Sequence, residues 1–271
     1  MKFWKRAPRV PLVRLNGVIA AGSGGLRRSL NLESVAPLLQ QAFDMPRAKA
    51  VALAINSPGG SPVQSALIAA RIRALAAKKS LPVLAFVEDV AASGGYWLAT
   101  AADEIYADEA SIVGSIGVIS AGFGFTEAIA KLGIERRVYA AGENKGSLDP
   151  FKPENPADIA RLDAILSELH QVFRAQVESR RGSKLASADP DLFSGAFWTG
   201  RKALARGLID GIGHYDPVLR ARFGEKVSIV PIKAKQPLLK RLSGGGFQSE
   251  TLVAAVEHRI EERMARQRYG G

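Results

Sequence analysis

The sequence predicts an α/β protein whose parallel sheet is covered by helices on both faces. Three observations carry this reading. Short apolar runs alternate with helical segments along most of the chain. The runs at 49–56 (KAVALAIN) and 82–88 (PVLAFVE) are continuously apolar rather than alternating, as strands buried on both faces are. Glycine-rich turns then close those runs, at the strand ends where α/β sites assemble.

Each element has a local reason. Residues 11–19 alternate and read as a strand. Residues 22–25 form a glycine-rich loop. A helix over 31–43 takes Asn31 as its N-cap, and one over 62–79 carries Pro62 in its first turn. After the 82–88 strand, 91–103 reads as helix, 104–107 and 112–120 as short strands, and 127–132 as helix. A strand over 135–140 (ERRVYA) precedes a long helix over 154–181. Short helices over 202–207 and 217–223 and a strand over 227–232 complete the main domain, 10–232. Residues 1–9 read as a basic, flexible start. A run of three glycines within 241–249 marks a hinge into a basic tail, 233–271. There Leu252, Val253, Val256, Ile260 and Met264 form an amphipathic helical stripe.

Composition narrows the function. The 271 residues, 47% hydrophobic and 23% charged, make a folded domain and exclude general disorder. Cysteine is absent, which removes thiolate metal sites and a Cys nucleophile. His170, His214 and His258 are the only histidines, too few for a multi-histidine metal site. The net charge of +11 sits at the ends: seven bases and no acid in 1–30, ten bases and five acids in 221–271. The 190 residues between hold 20 bases and 21 acids, so the body is neutral and no nucleic-acid site is expected there. Phe3 and Trp4 among Lys2, Lys5 and Arg6 suit peripheral contact with an anionic membrane. No apolar run reaches signal-peptide or membrane-spanning length. The expectation is a cytoplasmic chain, with peripheral attachment at the inner face of the plasma membrane as its membrane-bound form.

The chemistry concentrates in two turns. In Ala91-Ala92-Ser93-Gly94-Gly95-Tyr96, small residues stand two positions either side of Ser93. That is the pattern of a nucleophile elbow, a tight strand-to-helix turn that exposes Oγ. The bland alternative is a serine capping a helix. In Asn56-Ser57-Pro58-Gly59-Gly60, two glycines let backbone amides approach a ligand. Gly59 or Gly60 would then complete an oxyanion hole with Gly94, unless the segment is a plain β-to-α turn. No Gly-Lys-Ser/Thr follows, so a phosphate loop is disfavoured.

A serine nucleophile needs a base. None of the three histidines reads as lying at a strand end. Lysine can substitute where burial disfavours its ammonium form. Lys145, in the Ala141–Ser147 segment after the expected 135–140 strand, is the candidate; Lys78, Lys79, Lys131 and Lys152 read as surface positions. Ser115 is a hydroxyl inside an apolar strand, placed to hold such an amine or to bond nearby backbone. Tyr96 and Trp97 follow Ser93 and are expected to line an apolar substrate pocket.

NSPGG, AASGGYWLATAAD, VGSIGV and the AGENK lysine, in this order, resemble the signal peptide peptidase A family of serine proteases, in its short single-repeat form without a membrane anchor. The resemblance spans roughly 10–232. It implies a Clp-protease/crotonase-like fold with a repeated β-β-α superhelical core, a Ser–Lys dyad and a ring-shaped homo-oligomer. It matches Ser93 to the nucleophile, Lys145 to the general base, Ser115 to the serine that holds the lysine, and Gly59 or Gly60 with Gly94 to the oxyanion amides. It implies no cofactor and no metal. The expected activity is endoproteolysis of extended apolar peptides such as cleaved signal peptides. Two rivals remain at this stage. A crotonase-like acyl-CoA enzyme would need acid/base carboxylates, for which only Glu88 and Asp89 are near. A non-catalytic scaffold binding lipid or nucleic acid would explain the basic ends but not the glycine-rich centre.

Overall fold

Strands β1 (Arg9–Asn16), β2 (Val51–Ser57) and β3 (Val83–Ala92) form the parallel centre of the sheet in the computed structural model, which describes residues 7–22, 29–186 and 188–233. The N-terminal aromatic and basic cluster and the 22–25 loop beyond Gly22 lie outside the described residues, as does the tail stripe. The chain's contacts divide it into two units, Met1–Lys233 and Ala234–Gly271, and all that follows concerns the first.

The main path of the sheet runs β6-β5-β3-β2-β1-β8, with β5 at Ile112–Gly114, β6 at Phe197–Thr199 and β8 at Ser228–Pro231. Strand β4 (Glu104–Ala107) pairs with β3 and with β7 (Gly211–Ile212). Every pairing is parallel except β5 with β6. Strand β3 therefore forks: residues 84–87 pair with β4, and residues 90–92 pair with β5. The fork lies beside a register shift between β2 and β3, where Ile55 pairs Val87 but Ser57 pairs Ala91. That bulge turns the end of β3 away from the rest of the sheet.

Both faces are covered, which is why β2 is apolar from Val51 to Ile55. Val51, Leu53 and Ile55 pack with Val35 and Leu39 of helix α1 (Leu32–Phe43), and with Ile68 and Ile72 of α2 (Pro62–Lys79). Ala52 and Ala54 face the other way, with Leu12, Phe86 and Leu219 of α7 (Tyr215–Phe223). The α/β class with a parallel sheet flanked by helices is as the sequence predicts. Asn31 caps α1 by accepting from the Ser34 amide, and Pro62 opens α2 behind the Ser61 cap.

Several expectations change. The helix expected over 91–103 shrinks to α3 (Gly94–Ala99), because β3 runs on to Ala92 and Ser93 has a non-helical backbone. The strand expected over 112–120 stops at Gly114, where Gly114 (φ 113°) and Ser115 (φ 54°) turn the chain out of extended geometry. The strand expected over 135–140 does not form. A strand needs a ladder partner, and this stretch lies exposed, with Tyr139 at 91%. Helices α4 (Thr126–Lys131), α5 (Pro156–Arg181) and α6 (Gly200–Ala205) lie where the pattern puts them, within a few residues.

A buried network fixes the last turn of α5 to the sheet. Arg181 is 4% exposed. It donates to Asp210 at 2.7 Å and to the Gly207 carbonyl. Lys184 Nζ and the Ile105 amide also donate to the Asp210 carboxylate. Burial pushes the Asp210 carboxyl up, but these donors outweigh it and hold it below the usual carboxylate value.

Candidate active site

The site is built where β3 ends against β5 and the β2–α2 turn. Ser93 has φ 51° and ψ −123°, a region that only glycine enters without strain. Such strain costs on the order of 1–3 kcal/mol and survives only where neighbours fix it. The neighbours do so here. The Ser93 amide donates to the Gly114 carbonyl at 2.8 Å, and its carbonyl accepts from the Trp97 amide.

The small flanking residues are required by space. A Cβ on Gly95 would lie 2.3 Å from the Ser57 carbonyl oxygen, and one on Gly94 would lie 2.5 Å from Ser65 Oγ. Gly59 packs directly on the elbow: its Cβ would meet the Gly94 amide nitrogen at 2.7 Å and Ser93 Cβ at 2.8 Å. Ser93 thus sits in a tight strand-to-helix turn between β3 and α3.

Between the two glycine candidates, the hydrogen bonds discriminate. The Gly59 amide donates to Ser57 Oγ at 3.2 Å. Gly60 instead pairs with Ile19 in a parallel bridge: the Ile19 amide donates to the Gly59 carbonyl, and the Ser61 amide to the Ile19 carbonyl. In that pattern the amide of Gly60 itself points away from Ile19. It lies on the Gly94 side, 3.3 Å from where a Gly94 Cβ would be. Among the described residues neither the Gly60 nor the Gly94 amide has an acceptor outside regular secondary structure. Two amides without such an acceptor thus lie near Ser93, as donors to an oxyanion would.

Ser115 belongs to the same corner. Ala92 and Gly114 are register partners at the ends of adjacent parallel strands, so Ser93 and Ser115 are the residues that immediately follow the two ends. The Ser115 amide is anchored on the Ala196 carbonyl at 2.7 Å. Lys145 sits in a turn closed by its own amide donating to the Gly142 carbonyl, and it is exposed. No hydrogen bond among the described residues joins Lys145 to Ser93 or Ser115.

Two expected pocket residues belong to the core instead. Tyr96 is fully buried and donates its hydroxyl to the Leu208 carbonyl at 2.8 Å. Trp97 is 6% exposed and stacks on Phe173 of α5. All six residues of α3 are buried, so it has no open face from which to line a cleft. Of the histidines among the described residues, His170 lies on α5 and His214 pairs with Asp108 at 3.1 Å, and neither is hydrogen-bonded to Ser93; His258 lies outside the described residues. The acids that an acyl-CoA enzyme would use are already engaged, Glu88 with Arg14 and Asp89 with Asn56. Sequence reasoning assigned nothing to the Ser57 side chain. A fully buried hydroxyl at a strand end is the signal that marks it.

With this geometry in hand, residues 75–226 match the family described as Peptidase family S49. The chain belongs to peptidase family S49. It is 30% identical over 242 residues to the serine protease SPPA, chloroplastic, of Arabidopsis thaliana, covering 87% of this chain and 34% of that protein. It is 53% identical over 247 residues to a Brucella melitensis protein named Na(+)/H(+) antiporter NhaA, covering 91% of this chain. The S49 chain spans only 33% of that relative's length. No helix among the described residues is long and apolar enough to cross a membrane. The fold is shared with the solved 1510-N membrane-bound stomatin-specific protease, at TM-score 0.52 and 16% identity, over 85% of this chain and 99% of that one.

Proposed function

We propose that this S49 peptidase is a serine endopeptidase working through a Ser93–Lys145 dyad. The observation that carries the reading is the strained Ser93 elbow flanked by the Gly60 and Gly94 amides. Ser93 Oγ attacks the scissile carbonyl carbon while unprotonated Lys145 Nζ takes the hydroxyl proton. The tetrahedral oxyanion accepts hydrogen bonds from Gly60 and Gly94. Collapse breaks the C–N bond, and the Lys145 ammonium returns its proton to the leaving amine. Lys145 then deprotonates a water that hydrolyses the acyl-Ser93 ester, and Ser93 regains its proton. Ser115, which follows the β5 residue paired with Ala92, is the hydroxyl proposed to hold the lysine.

The substrates are extended, apolar peptides, cleaved signal peptides among them. The resemblance of the four motifs supports this class. Lys145 needs a cover that excludes water. In the stretch that precedes it in the sequence the single chain exposes Ile119 at 84%, Phe123 at 81%, Leu132 at 73% and Tyr139 at 91%, a band of large apolar side chains that association would cover. That band supports a homo-oligomer, ring-shaped as the resemblance implies, with a neighbouring copy over the segment.

Cleavage of an internally quenched apolar peptide tests the dyad. Lys145→Arg keeps a cation but supplies no neutral amine, so its rate should fall about as far as that of Ser93→Ala, roughly a thousandfold or more. Substantial turnover by Lys145→Arg refutes the mechanism.

A further inference from the structure

The Ser57 side chain is buried with 0% exposure at the last residue of β2. A buried hydroxyl needs partners, and Ser57 uses both of its capacities. It donates to the Gly17 carbonyl at 2.7 Å and accepts from the Gly59 amide at 3.2 Å. Gly17 follows β1 and donates its own amide to the Asn56 carbonyl. The one hydroxyl therefore ties the end of β1 to the turn that follows β2.

That turn has little else to hold it. Gly59 has φ 103° and Gly60 φ 139°, so both lie where the backbone is freest. Its other anchors are the two Ile19 backbone bonds on either side of Gly60. Those bonds hold the residues on either side of Gly60 and leave its own amide unbonded among the described residues. The Ser57 hydrogen bond fixes Gly59, which lies against Ser93 Cβ and the Gly94 amide. It also engages the Gly59 amide, leaving Gly60 rather than Gly59 to face the elbow. The Ser57 carbonyl, in turn, packs where a Gly95 side chain would be. Ser57 thus touches the supports of both amides and neither reacting atom.

We infer that Ser57 is a positioning residue for the oxyanion hole: its hydroxyl pins the Gly59–Gly60 turn so that the Gly60 amide is aimed before substrate arrives. The inference rests on the Ser93 reading above. Pre-aimed donors act where charge develops, so loosening one lowers transition-state binding more than substrate binding.

The test uses the full chain and separates the two readings. A fluorophosphonate probe is first applied to the wild type. Failure to label Ser93 would overturn the nucleophile assignment, and this inference with it. With labelling established, Ser57→Ala should keep its far-ultraviolet circular dichroism and a KM within about twofold, while kcat falls about 10- to 100-fold, somewhat less than removal of a donor outright. A peptide aldehyde, whose adduct with Ser93 develops an oxyanion, should lose affinity by a similar factor. The corresponding peptide alcohol, which forms no adduct, should bind as to wild type. Ser57→Thr, which keeps the hydroxyl, should recover most of the loss. Where Ser57→Ala does not fold, Ser57→Cys is measured by the same aldehyde-to-alcohol comparison. Wild-type kcat in the hydroxyl-less variant would overturn the inference with Ser93 still standing. Equal losses for aldehyde and alcohol would do the same.

Discussion

Replacing Ser93 by glycine should make the protein more stable than replacing it by alanine, although both remove the nucleophile. Alanine at position 93 keeps the strain of φ 51° and ψ −123°, and glycine releases it. The release is worth on the order of 1–3 kcal/mol. Against it stands the extra entropy glycine gives the unfolded chain, about 0.5–1 kcal/mol. The balance favours Ser93→Gly over Ser93→Ala by up to about 2.5 kcal/mol. For a domain of this size that is up to roughly 10 °C in Tm. Scanning calorimetry and urea melts of the two variants, each against wild type, measure the difference directly. A Ser93→Gly protein less stable than Ser93→Ala by the full entropy cost, about 0.5–1 kcal/mol, would show that the elbow stores no strain, and would remove the physical reason for reading it as a functional site.

Three further outcomes follow from the same geometry. Gly60→Ala places a Cβ 2.0 Å from the Ile19 carbonyl at a φ of 139°, so the turn must shift. Peptide cleavage should fall by about 10²–10³ in kcat with the fold intact by circular dichroism; an unchanged kcat would contradict the amide's role. Asp210→Ala leaves Arg181 buried without its carboxylate, at a cost of about 3–5 kcal/mol at neutral pH by urea melts. The Asp210 carboxyl is held low in the fold, so its contribution is full above its unfolded value, near pH 4, and is lost as pH falls through the folded one. The gap between wild type and Asp210→Ala should therefore narrow on acidification, and a gap that widened would reverse the sign of this linkage. Tyr96→Phe removes the donor to the buried Leu208 carbonyl and should cost about 1–3 kcal/mol of stability without altering cleavage preference in a peptide library. A changed preference would restore Tyr96 to the substrate pocket.

The parts of the fold that were legible in the sequence are those decided by local chemistry. The two-sided burial of β2 shows as an unbroken apolar run, and Asn31 and Pro62 mark helix starts by their own side chains. The Ser93 elbow was legible because crowding by Ser57 and Ser65 leaves room only for glycine at positions 94 and 95. What failed depended on distant partners. Residues 135–140 have strand composition but no sheet edge to join. Tyr96 and Trp97 follow the nucleophile in sequence, yet α3 is enclosed by Leu208 on one side and Phe173 on another, which local pattern does not reveal. The Ser57 hydroxyl finds Gly17 across 40 residues, a contact that only the β1–β2 register creates. The choice between Gly59 and Gly60 likewise waited on which amide Ser57 engages.

The central claim is that Ser93 is the nucleophile and Lys145 its base. Mass spectrometry of the fluorophosphonate-treated protein tests it most directly. One adduct should form, on Ser93, absent from Ser93→Ala and formed at least about a hundredfold more slowly in Lys145→Arg. An adduct on another residue, or undiminished labelling of Ser93 in Lys145→Arg, would contradict the account.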